Sequence, residues 1–349
     1  MHRRLLWLLL FFLTACAGPL PQAAAPTAPP ALLPVTPAPT QPSGLAPTVV
    51  AAGARLPGRL LFVRDRNVWM WQDQTGTQLT DDGDTRHPAW SPDGTQIVVV
   101  QRGQSYSDLV LLPAAGGEPQ RLTDNGSRQP PNSFERIYDT VWAFYPAFAP
   151  DGRTIAFASQ YGPPYGSPAV DYHLALFLMP AQAGGDRRLI YADETGHVGR
   201  PVYAPDGSAI VFAFGPAGAG TPRLLRYDLA SDTVAPQPGA PEQSYDPAFS
   251  PDGRWLAFAV RDGGRTDIFA VPSGGGSMTR LSSLGTARAP AFSPDGRLLA
   301  FLAIAPGEIG FDLWVADVRS DRDGIQVTAP RQVSMGLRAD ADSGLAWGR

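Results

Sequence analysis

One phrase, returned to five times, constrains this chain more than anything else in it. It reads Pro88-Ala-Trp-Ser-Pro-Asp-Gly94, then Pro146-Ala-Phe-Ala-Pro-Asp-Gly152, Pro201-Val-Tyr-Ala-Pro-Asp-Gly207, Pro247-Ala-Phe-Ser-Pro-Asp-Gly253 and Pro290-Ala-Phe-Ser-Pro-Asp-Gly296. Its aromatic falls at 90, 148, 203, 249 and 292, so successive copies lie 58, 55, 46 and 43 residues apart. Repeats of this length belong to architectures in which each copy is one supersecondary unit that buries its apolar face only against its neighbours. Within each copy the Ser/Ala-Pro-Asp-Gly element is a turn: proline presets φ at the second position of a type I turn, aspartate suits the third, and glycine takes the left-handed conformation that follows.

Apolar runs follow each turn, as in Ile97-Val-Val-Val100, Ile155-Ala-Phe157, Ile210-Val-Phe212, Leu256-Ala-Phe258 and Leu298-Leu-Ala-Phe301. They predict buried strands. A third strand is expected at 108–112, 173–177, 223–227, 267–271 and 312–315, and a fourth at phrases such as Gln120-Arg-Leu-Thr123, Thr279-Arg-Leu-Ser282 and Arg331-Gln-Val-Ser334. Four antiparallel strands per repeat make a propeller blade. Before the first phrase, Leu60–Val63, Asn67–Trp71 and Gln78–Thr80 read as second, third and fourth strands lacking a first; Trp347, 55 residues after Phe292, falls where a first strand is due. The two ends therefore complete one blade, and the expectation is an all-β, six-bladed propeller over 58–349, closed without an exposed sheet edge.

These repeats resemble the WD40-like, or PD40, repeats of TolB and its propeller relatives, and the resemblance implies the same six-bladed fold. TolB proteins carry an α/β domain ahead of the propeller and work with a peptidoglycan-associated lipoprotein. A proline-rich stretch stands in that place here, so a role in the Tol-Pal machinery is not expected.

The N-terminus predicts export. Met1-His2-Arg3-Arg4 is basic, and Leu5 to Leu13 is an apolar run of nine residues, short of the roughly 20 that a spanning helix needs. Leu13-Thr14-Ala15-Cys16 resembles the bacterial lipobox, which implies a signal peptide over 1–15, a lipid on Cys16 and attachment to a bacterial membrane from outside the cytoplasm. Residues 17–57 hold eleven prolines and one charge, Arg55. With Cys16 they read as a tether over 16–57, extended at about 3.1 Å per residue. Cys16 is the only cysteine, so neither a disulfide framework nor a Cys/His zinc site is expected. All 28 basic residues are arginine and the net charge is −4, which argues against nucleic acid as a partner.

Loop parity points to one face. Connections between second and third strands, and those from one repeat to the next, emerge together, and both large insertions are of this kind. Residues 124–144 carry Phe134, Arg136, Tyr138, Trp142 and Phe144, and residues 160–171 carry Tyr161 and Tyr165. Tyr, Trp and Arg are the usual binding hot spots. The residues just ahead of each first strand, Arg86, His87, Tyr145, Arg200, Asp246, Arg288 and Asp342, are expected near the channel mouth on this same face. No nucleophile elbow, zincin motif, phosphate loop or dinucleotide fingerprint occurs, and no hydrolase domain follows the propeller. No catalytic residue, cofactor or metal is therefore expected. Asp340-x-Asp342-x-Gly344 reads as a loop, since no distal glutamate follows to complete a calcium site. The expected function is that of a monomeric binding or scaffold protein for protein or envelope-polymer partners; the alternative is a propeller hydrolase or lyase with a polar or metal site at the mouth, using His87 and His197.

Overall fold

A computed structural model describes residues 55–130, 132–161, 173–216, 220–321 and 324–349. The chain divides into one unit spanning Met1–Gly44 and a second spanning Leu45–Arg349, which holds the propeller. Cys16, residues 16–54 of the tether and Tyr165 lie outside the described residues. Among those described, no helix is long and apolar enough to cross a membrane.

The strands are β1 (Arg59–Arg64), β2 (Asn67–Gln72) and β3 (Thr75–Gln78) in blade 1; β4 (Thr85–Trp90), β5 (Gln96–Arg102), β6 (Ser107–Pro113) and β7 (Gln120–Arg121) in blade 2; and β8 (Ala143–Phe148), β9 (Thr154–Gln160), β10 (Leu174–Pro180) and β11 (Arg188–Tyr191) in blade 3. Blade 4 is β12 (Gly196–Tyr203), β13 (Ala209–Pro216), β14 (Arg223–Asp228) and β15 (Thr233–Pro236), and blade 5 is β16 (Ser244–Phe249), β17 (Trp255–Asp262), β18 (Arg265–Pro272) and β19 (Thr279–Arg280). Blade 6 holds β20 (Arg288–Phe292), β21 (Leu298–Ile304), β22 (Phe311–Ser320), β23 (Ile325–Val327) and β24 (Arg331–Gln332), and β25 (Ala346–Gly348) returns to blade 1. A single-turn helix, α1 (Arg136–Asp139), interrupts the connection between blades 2 and 3.

The turn chemistry works as its residues require. In blade 2 the Ser91 hydroxyl donates to Asp93 at 2.6 Å, Gly94 N–H closes on the Ser91 carbonyl at 2.9 Å, and Gly94 sits at φ 69°. The second strand of each blade is buried on both sides, so its apolar run is continuous. Equivalent positions in five blades carry Phe62, Phe157, Phe212, Phe258 and Phe301, all at most 1% exposed. Truncating any one to alanine would cost about 3–5 kcal/mol.

The core is not one mass. Six apolar clusters lie one to each blade interface: β5, β6 and β9 residues share one, and Leu60, Phe62 and Trp71 of blade 1 share another with Leu298, Ala300 and Val315 of blade 6. The ring closes because blades 6 and 1 are joined like any other pair. Leu60 faces Trp347 in the β1–β25 register, and the Trp347 indole donates to the Pro57 carbonyl at 2.7 Å. In blade 6, β22 runs to ten residues and β23 pairs back on its far end, while β24 takes the place of the expected fourth strand.

Candidate functional site

The phrase prolines sit on the innermost strands, whose inner edge has no neighbour. Proline lacks the N–H a further strand would need, so it costs nothing there and blunts the edge. Pro88, Pro146, Pro201, Pro247 and Pro290 line a channel cavity of about 230 Å³, together with Trp347, Arg200 and Asp246. Each complete inner strand carries a register shift just before or at its proline: Arg86/Ala89, Phe144/Ala147, Val198/Pro201, Tyr245/Ala248 and Arg288/Ala291. The strands thus begin earlier than the phrase suggests, and the residues expected ahead of them lie inside or beside a bulge. His87, Tyr145 and Asp246 take positive φ there, at 51°, 52° and 53°. Such bulges re-aim side chains.

All six blades contribute to the mouth. Arg288 spans two carboxylates, with Nε 3.2 Å from Asp246 Oδ2 and Nη1 2.7 Å from Asp342 Oδ1. Asp246 also accepts the Ala289 N–H at 3.2 Å. Burial works against the Arg288 charge, but Asp246 and Asp342 outweigh it and raise its pKa further. Arg200 donates from Nη2 to the Asp342 carbonyl at 2.7 Å, lies 3.9 Å from Asp246 Oδ1, and covers the Tyr145 ring at 5.5 Å. Gly344 is fitted to it: a Cβ there would meet Arg200 Nη1 at 1.9 Å, and φ is 74°. Arg86 stands 3.8 Å from Asp340 Oδ2. Within the Asp340–Gly344 loop, Asp340 accepts the Asp342 N–H at 3.0 Å and the Ser343 hydroxyl at 2.9 Å.

His87 is only 7% exposed. Its ring lies 4.2 Å from that of Tyr145 and 6.1 Å from that of Phe144. Burial, then Arg200, Arg86 and Arg102, hold its pKa well below the usual imidazole range, so it is neutral at pH 7. Burial raises the Tyr145 phenol more than Arg200 lowers it.

Outward from His87 the aromatic series continues. Phe144 stacks on Trp142 at 6.0 Å, and Arg102 covers Trp142 at 5.1 Å. Trp142, expected as an exposed contact residue, is half-buried in this stack; its backbone N–H donates to Gln160 Oε1 at 2.7 Å. Tyr138 and Tyr161 are exposed, and Phe134 is 69% exposed against the Tyr138 ring at 5.7 Å. Arg136 is half-buried and donates to the Gln129 carbonyl at 2.9 Å. Two apolar side chains that the sequence reasoning passed over share the face: Ile309, 83% exposed, between β21 and β22, and Met335, 65% exposed, between β24 and β25. The glycines flanking them, Gly307, Gly310 and Gly336, were the available signal for apolar residues held out on turns. Nor does His197 join His87. It meets His173 across blades 3 and 4, ring centroids 5.1 Å apart, and its Nδ1 accepts the Leu174 N–H at 3.2 Å. Among the described residues, no three His, Cys, Asp or Glu side chains are grouped to hold a metal ion.

Two family models match this chain. One describes a TolB β-propeller domain and covers residues 175–328; the other describes the β-propeller domain of the lipoprotein LpqB and covers residues 58–160. The domain is a six-bladed propeller similar to those of TolB. The structure of TolB from Acinetobacter baumannii resembles it with a TM-score of 0.63 at 17% identity, over 84% of this chain and 67% of that one. A putative TolB from Agrobacterium tumefaciens gives 0.53 at 19% identity, over 80% and 90%. Among curated proteins, an uncharacterized peptidase, YuxL of Bacillus subtilis, is 25% identical over 200 residues, 56% of this chain. The match spans only a quarter of that peptidase's length. At these identities the solved structures establish the fold of the TolB-like propeller, six blades of antiparallel strands, and nothing finer.

Proposed function

We propose that this TolB-like propeller is the binding end of an extracytoplasmic lipoprotein, anchored through a lipid on Cys16, held off the membrane by the 16–57 tether, and acting as a monomeric scaffold for a protein or envelope-polymer partner. The matches to a lipoprotein propeller domain and to TolB propellers support an envelope setting. One observation carries the choice of surface. Of the seven large apolar side chains exposed among the described residues, Phe134, Tyr138, Tyr161, Ile309 and Met335 lie on the connections of the mouth face, leaving only Leu189 and Met278 elsewhere. An apolar set around a polar centre is the composition of an interface. Blades 3 and 6, which carry these side chains, stand opposite each other in the ring, so a partner reaching both would cross the mouth.

The test is cross-linking of the full chain in envelope preparations, beside a Phe134→Ser/Tyr138→Ala variant of equal thermal stability. The expected result is a partner cross-linked to the insertion-bearing face in the parent and lost in the variant; equal capture by both would refute the assignment. Cys16→Ser should abolish labelling by a clickable palmitate analogue. Retained labelling would remove the anchor from the proposal.

A further inference from the structure

The acidic groups of the mouth are already occupied. Asp246 and Asp342 are held by Arg288 at 3.2 and 2.7 Å, and Asp340 is held by the Asp342 N–H and the Ser343 hydroxyl. Three arginines on the other side hydrogen-bond to no carboxylate. Arg200 hydrogen-bonds a backbone carbonyl and stops 3.9 Å from Asp246, Arg86 stops 3.8 Å from Asp340, and Arg102 rests on the Trp142 ring. The Nε atoms of Arg86 and Arg200 and the Nδ1 of His87 are buried and have no hydrogen-bond partner in the protein. A guanidinium keeps its charge and offers donors only, so these N–H groups call for an acceptor. His87 and Arg200 both contact the Tyr145 ring, which brings the histidine and one arginine to a common apolar wall.

We propose that this side of the mouth, from blade 2 to blade 4, binds a carboxylate group on the ligand, with Arg200 and Arg86 supplying charge, His87 a neutral hydrogen-bonding partner, and Tyr145 the wall behind it. The proposal rests on the reading that this face binds a partner, and it names the chemistry that the partner presents. A carboxylate suits the site for two reasons. The planar guanidinium fork matches its two oxygens. Arg86 and Arg200 hydrogen-bond to no carboxylate, while Asp246 and Asp342 are held by Arg288, so a single negative charge meets guanidinium donors that are still open. A dianionic phosphate would leave charge uncompensated beside Asp246 and Asp342.

The experiment is calorimetric titration of the purified full chain with N-acetylglutamate α-amide, with the isosteric N-acetylglutamine α-amide, and with inorganic phosphate. The glutamate probe is expected to bind at least roughly tenfold more tightly than the glutamine probe, and Arg200→Gln or Arg86→Gln to weaken it by roughly tenfold. Arg297→Gln, on the opposite face, is expected to leave it unchanged. Arg200→Lys, which keeps the charge without the fork, is expected to recover part of the loss. Equal affinity for the two amides, or parental affinity in both glutamine variants, would overturn the site; tighter binding of phosphate would overturn the choice of carboxylate. If Arg200→Gln fails to fold, Arg86→Gln decides alone. A partner still cross-linked to the face by a chain that does not distinguish the probes would sink this site and spare the face assignment. Selective binding of the glutamate probe without any face-directed partner would do the reverse.

Discussion

Blades 2, 5 and 6 open their third strand on a buried aspartate, and blades 3 and 4 do not. In the first group Asp108, Asp267 and Asp312 each accept a hydroxyl from beyond the fourth strand, Thr123, Ser282 or Ser334, at 2.9, 2.8 and 2.9 Å. Each also accepts a backbone N–H further on, from Asn125, Gly285 or Leu337, at 2.8, 3.0 and 2.8 Å. The same hydroxyls accept the N–H of Leu109, Ile268 and Leu313. Such a clasp satisfies a buried carboxylate locally and pins the outer strand beyond a short ladder, the fourth strands β7, β19 and β24 being only two residues long. Blade 3 has Ala175 and blade 4 Arg223 at this register position, and their outer strands β11 and β15 run to four residues each. Ahead of that position in blade 3, the Leu174 N–H is given to His197 of the next blade. Outer strands can thus be held either by one buried acid or by more ladder. Blade 3, which uses the ladder, is also the blade whose flanks carry Phe134, Tyr138 and Tyr161.

The sharpest way to break this comparison is Asp312→Ala. It strands the Leu337 N–H and the Ser334 hydroxyl, and is expected to cost about 3 kcal/mol in urea unfolding, whereas Arg223→Ala, at the same position of blade 4, costs less than about 1 kcal/mol. Equal losses would mean that the clasp is not what holds the outer strands. Arg288→Ala comes next, at about 2 kcal/mol, because it leaves Asp246 buried with only the Arg200 guanidinium, 3.9 Å away, beside it. Gly344→Ala is expected to cost about 1–2 kcal/mol, from the positive φ and the contact with Arg200; an unchanged melting temperature would show that Arg200 yields freely. A pH series sharpens the comparison at the mouth. His87 is neutral in the fold with its pKa below the ordinary 6.5, so the unfolded chain takes up the proton first. Its contribution is complete above about pH 6.5 and is lost as pH falls below it. His87→Asn, which tolerates the positive φ, should flatten that slope, and an unaltered slope would assign it to other groups. Smallest is Phe134→Ser/Tyr138→Ala, expected to stay within about 0.5 kcal/mol of the parent, since a rim that holds the fold together would lose more.

Much of the fold was legible in the residues themselves. Pro-aromatic-Ser/Ala-Pro-Asp-Gly carries its own turn, the apolar runs carry their burial, and Trp347 without a following strand announced the pairing with β1. Loop parity put Arg86, Tyr145, Arg200, Asp246, Arg288 and Asp342 on one face, because the direction of antiparallel strands follows from their count. Their partners were another matter. Arg288 binds Asp246 and Asp342 from 42 and 54 residues away, and Arg200 reaches Asp342 over 142. No local pattern encodes those pairings, nor the exchange of His87 for His173 beside His197. Trp142 read as a free hot spot because stacking between Arg102 and Phe144 depends on where two separate connections come to lie.

The residues alone determined the blade, the number of blades and the face on which function would be sought, because turn stereochemistry and a strand period of two are local properties repeated along the chain. Only the closed ring decided which charges neutralise one another and which arginines are left without a carboxylate. Coulomb and hydrogen-bond energies depend on distances through space, and six inner strands reach the mouth from positions spread across the whole domain.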